Sequence, residues 1–360
     1  MISVYTLFFP FLIAFILVIA TTPVMISVAQ RFKLIDDPKI RKHPAIVHTK
    51  PTPRGGGVPI GIGIILTSLL FLPIDRTLVL VLLGASIAVL VGVLDDKYDL
   101  SPYARLISNF FVALLPVFGG ITILFITNPA SPNGILSFDN LRLPLGVFGK
   151  DSVILMADIL SLLWIVWTMN MLNWSTGVNG QMPGIAAIAA ITIGFLSLRF
   201  SQLDEASLRT AQLSFITAGA VAGFLPFNFP NARIFPGYGG TIIGFMLAVL
   251  SIHAGTKVAT ALLVMAVPTI DAVFTIMRRI AAARSPFRGD RGHLHHLLLQ
   301  KGFKVWQIAI FYWAISLLLG IIALTLSSTQ KLFALIALAI VIGGGLLWLS
   351  YLSEEETTKA

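Results

Sequence analysis

The sequence predicts an all-α protein: a polytopic integral-membrane helical bundle of about eleven transmembrane helices, N-terminus outside and C-terminus cytoplasmic. Three observations predict it. Only 11% of the 360 residues are charged while 56% are hydrophobic, and mean hydropathy is +0.90; that leaves too little charge to cover a soluble surface. Apolar runs of about 20 residues recur from end to end, each long enough to cross roughly 30 Å of hydrocarbon. The basic residues, finally, collect on alternate loops between those runs.

The spans read as 4–28, 56–74, 77–94, 104–127, 152–172, 181–198, 210–227, 240–256, 259–277, 307–327 and 332–352. Backbone polar groups in hydrocarbon must be paired within the segment, so spans of this length are expected to be α-helices. The first opens at Met1 with no basic leader before it, which reads as a retained span rather than a cleaved signal. The second follows PRGGG (53–57), and the third stops on the acids of DDKYD. The fourth follows the turn LSP (100–102), and the fifth ends in NMLNWSTGVNG (170–180). Span seven runs into FNFPNARIFPGYGG, while only HAGTK divides eight from nine. One transmembrane domain is expected over 1–353, with a short cytoplasmic tail at 354–360.

With the loops alternating sides, eighteen basic residues fall on one side and seven on the other. The rich side includes Arg31 to Arg54 in the first loop and Arg278 to Lys304 after span nine. By the positive-inside rule that side is cytoplasmic. The net charge of +9 then belongs to basic loops beside anionic lipid, and nucleic acid is not expected as a partner. Cysteine is absent, which excludes disulfides and thiolate chemistry. A transporter needs an ionisable path through the membrane; Asp271 near one end and Asp158 elsewhere do not make one.

The same alternation places DDKYD, the Asn/Gly stretch 170–180, the stretch 227–240 and the loop SPFRGDRGHLHHLLLQKGF (285–303) on the cytoplasmic side. Each has a bland reading. Acids at a helix end are commonly just solvated, yet Asp95, Asp96 and Asp99 are close enough to repel and to call for a shared cation or phosphate-bound Mg²⁺. His293 and His296 share a helix face beside His295, Arg288 and Asp290. Zinc lacks a clear fourth ligand there, and packing at the bilayer surface is a second option. A basic, imidazole-rich patch best suits an anionic phosphate-bearing substrate. Asn170, Asn173 and Asn179 fit either a plain helix end or a polar site. Asp271 in PTID is an intramembrane acid that either functions or pairs with an arginine or backbone group.

Together, IDDPKIRKHP (35–44), PRGGG, GVLDDKYDLSP, the NxxN end of span five, LPFNFPNARIF (225–235), PTID and DRGHLHH resemble the polyprenyl-phosphate N-acetylhexosamine-1-phosphate transferase family, its GlcNAc branch above all. The resemblance covers most of the chain. It implies transfer of a UDP-amino-sugar phosphate, GlcNAc-1-phosphate in the first instance, onto polyprenyl phosphate with Mg²⁺, at the cytoplasmic face of a bacterial plasma membrane, in cell-envelope glycan synthesis. By position it implies Asp95 and Asp96 on the lipid phosphate and Asn173 and Asn179 at the nucleotide. It likewise implies Arg288, Asp290, His293, His295 and His296 on the diphosphate or nucleotide, with Lys50 and Arg54 facing phosphate. Asp99 and Asp271 are further candidates for metal, and a homodimer is left open.

Two positions depart from the family pattern. Thr176 stands where NxxNxxDG carries Asp, and Tyr238 stands where GDSGS or GDTGS carries the Asp that the resemblance makes a Mg²⁺ ligand. Neutral Thr and Tyr are poor replacements for hard carboxylate oxygens. Two functions are therefore carried forward: an active transferase holding Mg²⁺ through the remaining acids and substrate phosphates, and a non-catalytic relative that binds polyprenyl phosphate or a nucleotide sugar.

Overall fold

The computed structural model describes residues 5–40, 47–144, 146, 150, 152–199, 204–253, 258–285 and 291–359. The chain is mostly helical. Its helices are α1 (Tyr5–Arg31), α2 (Gly57–Phe71), α3 (Arg76–Tyr98), α4 (Pro102–Phe118), α5 (Leu155–Trp174), α6 (Gln181–Ser197), α7 (Glu205–Asn228), α8 (Thr241–His253), α9 (Val258–Val264), α10 (Ala266–Ala281), α11 (Leu294–Gln300), α12 (Val305–Thr325) and α13 (Ser328–Lys359). Among the described residues six helices are long and apolar enough to cross a membrane: α1, α3, α5, α7, α12 and α13. The pair α9–α10, bent by 84°, brings the number to seven when it is taken as one broken span rather than a re-entrant loop, and α2, α4, α6 and α8 are shorter apolar helices. Large apolar side chains such as Phe8, Ile16, Leu318, Ile321, Ile340 and Trp348 point outward, as lipid-facing residues do. This is a polytopic helical membrane protein.

The centre is α8, whose residues Thr241 to Ile252 are all buried. A helix apolar on every side belongs inside a bundle, and α8 packs on α3, α5, α6 and α7. Close approach elsewhere follows from small residues. On α7, Gly219 and Gly223 lie one turn apart, and a Cβ on either would fall 2.2 Å from the carbonyl oxygen of Phe11 or 2.6 Å from that of Phe15. Only bare backbone lets α1 settle against α7 at that distance.

Two spans differ from the sequence expectation. The segment 104–127 is not one helix: α4 stops at Phe118, before Gly119 and Gly120, the latter at φ +91. The apolar residues beyond become strand β3 (Phe125–Thr127), paired antiparallel with β4 (Ile135–Ser137). A two-glycine break and the pairing of β3 outweighed the hydropathy of ITILFIT. The segment 259–277 is broken at Met265, where α9 and α10 meet at 84°. Pro268, in the first turn of α10, supplies no N–H to continue the α9 ladder. The residues read as a tail continue α13 to Lys359.

The two ends of the bundle have different furniture. At the start of α3, Asp75 caps Leu78 N at 2.8 Å and meets Arg209 of α7 at 2.6 Å. Thr77 donates to the Gly119 carbonyl at 2.7 Å. Strands β5 (Arg142–Leu143) and β6 (Val153–Ile154) lead into α5, where Lys150 pairs with Asp158 at 2.6 Å. At the other end of α3 sit its acids, together with β1 (Ile35–Asp36) and β2 (Thr52–Pro53), paired Asp36 to Thr52.

Candidate functional site

The acids are brought into place by the turn that follows them. Helix α3 ends at Asp99, a left-handed residue at φ 49 whose amide donates to the Asp95 carbonyl at 2.8 Å. Ser101 then caps α4 by accepting from Ala104 N at 3.2 Å, and Pro102 takes the first helical position. DLSP is thus a short helix-to-helix reversal that returns Arg105 to the end of α3. Arg105 Nε donates to Asp95 at 2.5 Å and its Nη2 donates to Asp99 at 2.8 Å.

Asp96 faces the other way and is 1% exposed. One carboxylate oxygen accepts from Tyr238 N at 3.0 Å and lies 3.8 Å from Arg54. The other, Oδ2, is buried without a hydrogen-bond partner among the described residues. Arg54 is held in turn by Asp36, 2.9 Å from its Nη2. The loop carrying Tyr238 is locked to PRGGG: Gly56 N and Gly57 N donate to the carbonyls of Phe235 and Pro236, each at 3.0 Å. A single 3₁₀ turn, Tyr238–Gly240, then crosses α2 and α3 at bare backbone. A Cβ on Gly57 would lie 2.3 Å from Gly239 C, and one on Gly92 would lie 2.2 Å from Gly239 Cα.

The stretch 227–240 also reaches the second half of the site. Asn228 Oδ1 accepts from Gly180 N at 2.7 Å, Asn179 donates to the Pro230 carbonyl at 3.1 Å, and Trp313 Nε1 donates to the Gly180 carbonyl at 3.0 Å. Thr176 turns its hydroxyl back to the Asn173 carbonyl at 2.8 Å, ending α5. Beside Gly177 lies the histidine cluster, where any Cβ on that glycine would fall 2.0 Å from His295 Nε2. His293 and His295 stack in parallel at 5.6 Å, and His296 lies 4.3 Å from His295.

Asp271 organises this cluster. Its Oδ1 accepts from Leu294 N at 2.8 Å, at the start of α11, and its Oδ2 meets His293 Nδ1 at 2.9 Å. With Nδ1 engaged, Nε2 is the nitrogen His293 offers a ligand. His295 is buried, and its Nδ1 has no partner among the described residues. Burial first, then neighbouring His296 and His293, push its imidazole well below the ordinary histidine range. It is a neutral donor or acceptor here.

The structure thus brings together Asp95, Asp96, Asp99 and Tyr238, and separately Asn173, Thr176, His293, His295, His296 and Asp271, with Asn179 on the connecting strand of contacts. Lys50 stands apart from both groups. It is exposed and lines an open cavity of about 420 Å³ with Gln30 and Arg233. Arg288 and Asp290 lie outside the described residues. Sequence reasoning did not single out Arg105; its signal was the capped reversal DLSP, which fixes where the next helix starts. Asp36, the anchor of Arg54, lies within IDDPKIRKHP but was not singled out, because its partner is set by the pairing of β1 with β2.

These donors do not fit a divalent cation held by the protein. Among the described residues no three His, Asp or Glu side chains gather as ligands. Asp95 and Asp99 are already bridged by a guanidinium, and Tyr238 turns its hydroxyl to the Arg105 carbonyl at 3.3 Å. The orphan Asp96 Oδ2 is pressed against Gly237, 1.9 Å from where a Cβ would stand, with no room for the hydrated octahedral shell Mg²⁺ keeps.

A buried acid pair, a histidine cluster and Gly-rich crossings thus gather at one end of a helical membrane bundle, as a candidate site for a charged substrate. Comparison with known proteins gives the family. Residues 78–255 match glycosyl transferase family 4. The chain is 31% identical over 334 residues to the decaprenyl-phosphate N-acetylglucosaminephosphotransferase of Mycobacterium leprae, covering 84% of this chain and 78% of that one. It is 29% identical over 342 residues to the probable undecaprenyl-phosphate N-acetylglucosaminyl 1-phosphate transferase of Bacillus subtilis, covering 92% and 88%. The undecaprenyl-phosphate alpha-N-acetylglucosaminyl 1-phosphate transferase of Haemophilus influenzae is 28% identical over 329 residues, covering 88% and 86%. The chain belongs to glycosyl transferase family 4.

Proposed function

We propose that the chain transfers GlcNAc-1-phosphate from UDP-GlcNAc to a bacterial polyprenyl phosphate, in the synthesis of a cell-envelope glycan. A non-bridging oxygen of the lipid phosphate attacks the β-phosphorus of UDP-GlcNAc. The bond from that phosphorus to the oxygen shared with the α-phosphate breaks, and UMP leaves with that oxygen. Asp96 takes the proton of the lipid phosphate and orients it. His293, through Nε2, and His296 hold the diphosphate, while Asn173 belongs to the nucleotide side.

The observation that carries this reading is the convergence of DDKYD, NMLNWSTGVNG, FNFPNARIFPGYGG and HLHH, distant in sequence, at one end of the bundle. The relatives' names supply the substrates, and they name transferases rather than binding proteins. The proposed setting is the bacterial plasma membrane with all eleven apolar segments embedded, N-terminus outside. The site then faces the cytoplasm, on the side where the basic loops lie.

The test is release of UMP from UDP-GlcNAc by the purified chain with undecaprenyl phosphate in detergent micelles. Release that depends on the lipid, and falls roughly a hundredfold or more in Asp96→Asn, is the expected result. A wild type with no lipid-dependent release would overturn the reading.

A further inference from the structure

We infer that Arg105, bridging Asp95 and Asp99 beneath the ring of Tyr238, supplies at this site the positive charge that a divalent cation would otherwise bring to a bound diphosphate. This assignment rests on the transferase reading and deepens it: the nucleoside diphosphate of the substrate would be met by guanidinium groups.

Three observations converge. First, the acids that would hold a cation are spent. Arg105 donates to Asp95 at 2.5 Å and to Asp99 at 2.8 Å, so two of the three carboxylates of DDKYD share one guanidinium. That is the part a shared cation plays between close carboxylates. Second, Tyr238 is built to hold that arrangement. Its ring lies 5.3 Å from the Arg105 guanidinium carbon, and its hydroxyl donates to the Arg105 carbonyl at 3.3 Å. A phenol face favours a cation, whereas a carboxylate at 238 would compete with Asp95 for it. Third, Arg105 is a quarter exposed while Asp95 is buried. The arginine therefore presents its outer edge where ligand phosphate can approach, and a guanidinium binds phosphate through paired N–H donors. Arg54, beside Asp96, carries a second guanidinium at the same end of α3. The Tyr at 238 and the arginine under it thus read as one coupled change of charge carrier.

The test is binding of UDP to the purified full chain by calorimetry, in EDTA and in Mg²⁺. The wild type is expected to bind comparably in both. Arg105→Ala is expected to bind roughly tenfold or more weakly in EDTA and to recover in Mg²⁺, because Asp95 and Asp99 are then free to hold a cation. A merely structural arginine would give a loss that Mg²⁺ does not restore, and that result overturns the assignment. So does a wild type that binds UDP only with Mg²⁺, or not at all. Should Arg105→Ala lose its thermal transition, Arg105→Lys takes its place: it keeps a charge but not the two-pronged bridge, and a smaller loss with smaller Mg²⁺ recovery is expected. Manganese EPR on the ligand-free wild type is expected to show no protein-bound ion. A stoichiometric site that Asp96→Asn removes would overturn the assignment. Neither readout uses UMP release, so failure of the transferase reading registers separately.

Discussion

Asp271 uses one carboxylate oxygen on the imidazole of His293, at 2.9 Å, and the other on the amide of Leu294, at 2.8 Å. A single side chain therefore sets both the ring orientation of His293 and the start of α11. Asp271 can do so because α10 breaks away from α9 at 84°, which carries an acid of an apolar segment to the histidine loop. Asp271→Asn keeps the shape but weakens a charge-assisted bond. Losing it is expected to lower UMP release roughly ten- to a hundredfold. Thermal stability should fall less than in Asp271→Ala, which also uncaps α11. Equal activity in Asp271→Asn and wild type would show that the pair is structural only.

Much of this was legible in the sequence, and the misses share a cause. Hydropathy located the six helices long and apolar enough to cross a membrane, because length and composition carry that signal; the short α11 fell outside every predicted span. Hydropathy failed at 119–127 and at Met265, where backbone chemistry rather than side-chain polarity ends the helix. Gly119-Gly120 and Pro268 were the readable signs. In the site, DDKYD and HLHH stand out because charge is scarce around them. Arg54's anchor Asp36 and the Asp95–Arg105–Asp99 bridge do not, since such pairs depend on which loops meet. The three-way crossing of Gly57, Gly92 and Gly239 was likewise invisible, for PRGGG and PGYGG are conspicuous in the sequence but nothing in them says that they meet each other and α3.

The topology proposed from the basic loops has its own measurement. Cysteines introduced singly at Asn140 and at Arg284, in a chain with none of its own, are expected to react with an impermeant thiol reagent from opposite sides of intact cells. Asn140 lies near β5, and Arg284 follows α10, so the two report the two ends of the bundle. Reaction of both from one side would remove the cytoplasmic placement of the site.

His295 gives the protein a pH dependence whose sign can be worked out. Its folded imidazole is held well below the ordinary value of 6.5 by burial and by His296 and His293. Below about pH 6.5 the unfolded chain therefore binds a proton that the folded chain refuses. Stability is full above that point and is lost as pH falls, by up to about 1.4 kcal/mol per pH unit for this group alone. Thermal unfolding in detergent at pH 7.5 and 5.5 should show a drop for wild type that is smaller for His295→Gln. An identical drop in both would assign the acid sensitivity to other groups.

Gly92 tests whether the helix crossing governs the chemistry. A Cβ there would stand 2.2 Å from Gly239 Cα and 2.4 Å from Gly239 N, and these are backbone atoms that no rotamer change can clear. Gly92→Ala must therefore separate α3 from the Tyr238–Gly240 turn, an overpacking expected to cost roughly 1–3 kcal/mol. Gly92 lies one helical turn before Asp96, so the same displacement stretches the 3.0 Å bond from Tyr238 N to Asp96. Activity should fall further than the modest loss of stability explains, measured at a temperature where the variant is still folded. Gly84→Ala serves as the control. Its Cβ would meet the Phe245 ring at 2.7 Å, on the same helix but two turns further from the acids, and a side chain can move where backbone cannot. A comparable stability loss with near-normal UMP release in Gly84→Ala, against strong loss of release in Gly92→Ala, would tie the bare-backbone crossing to the placement of Asp96. Matched losses in both would reduce it to packing.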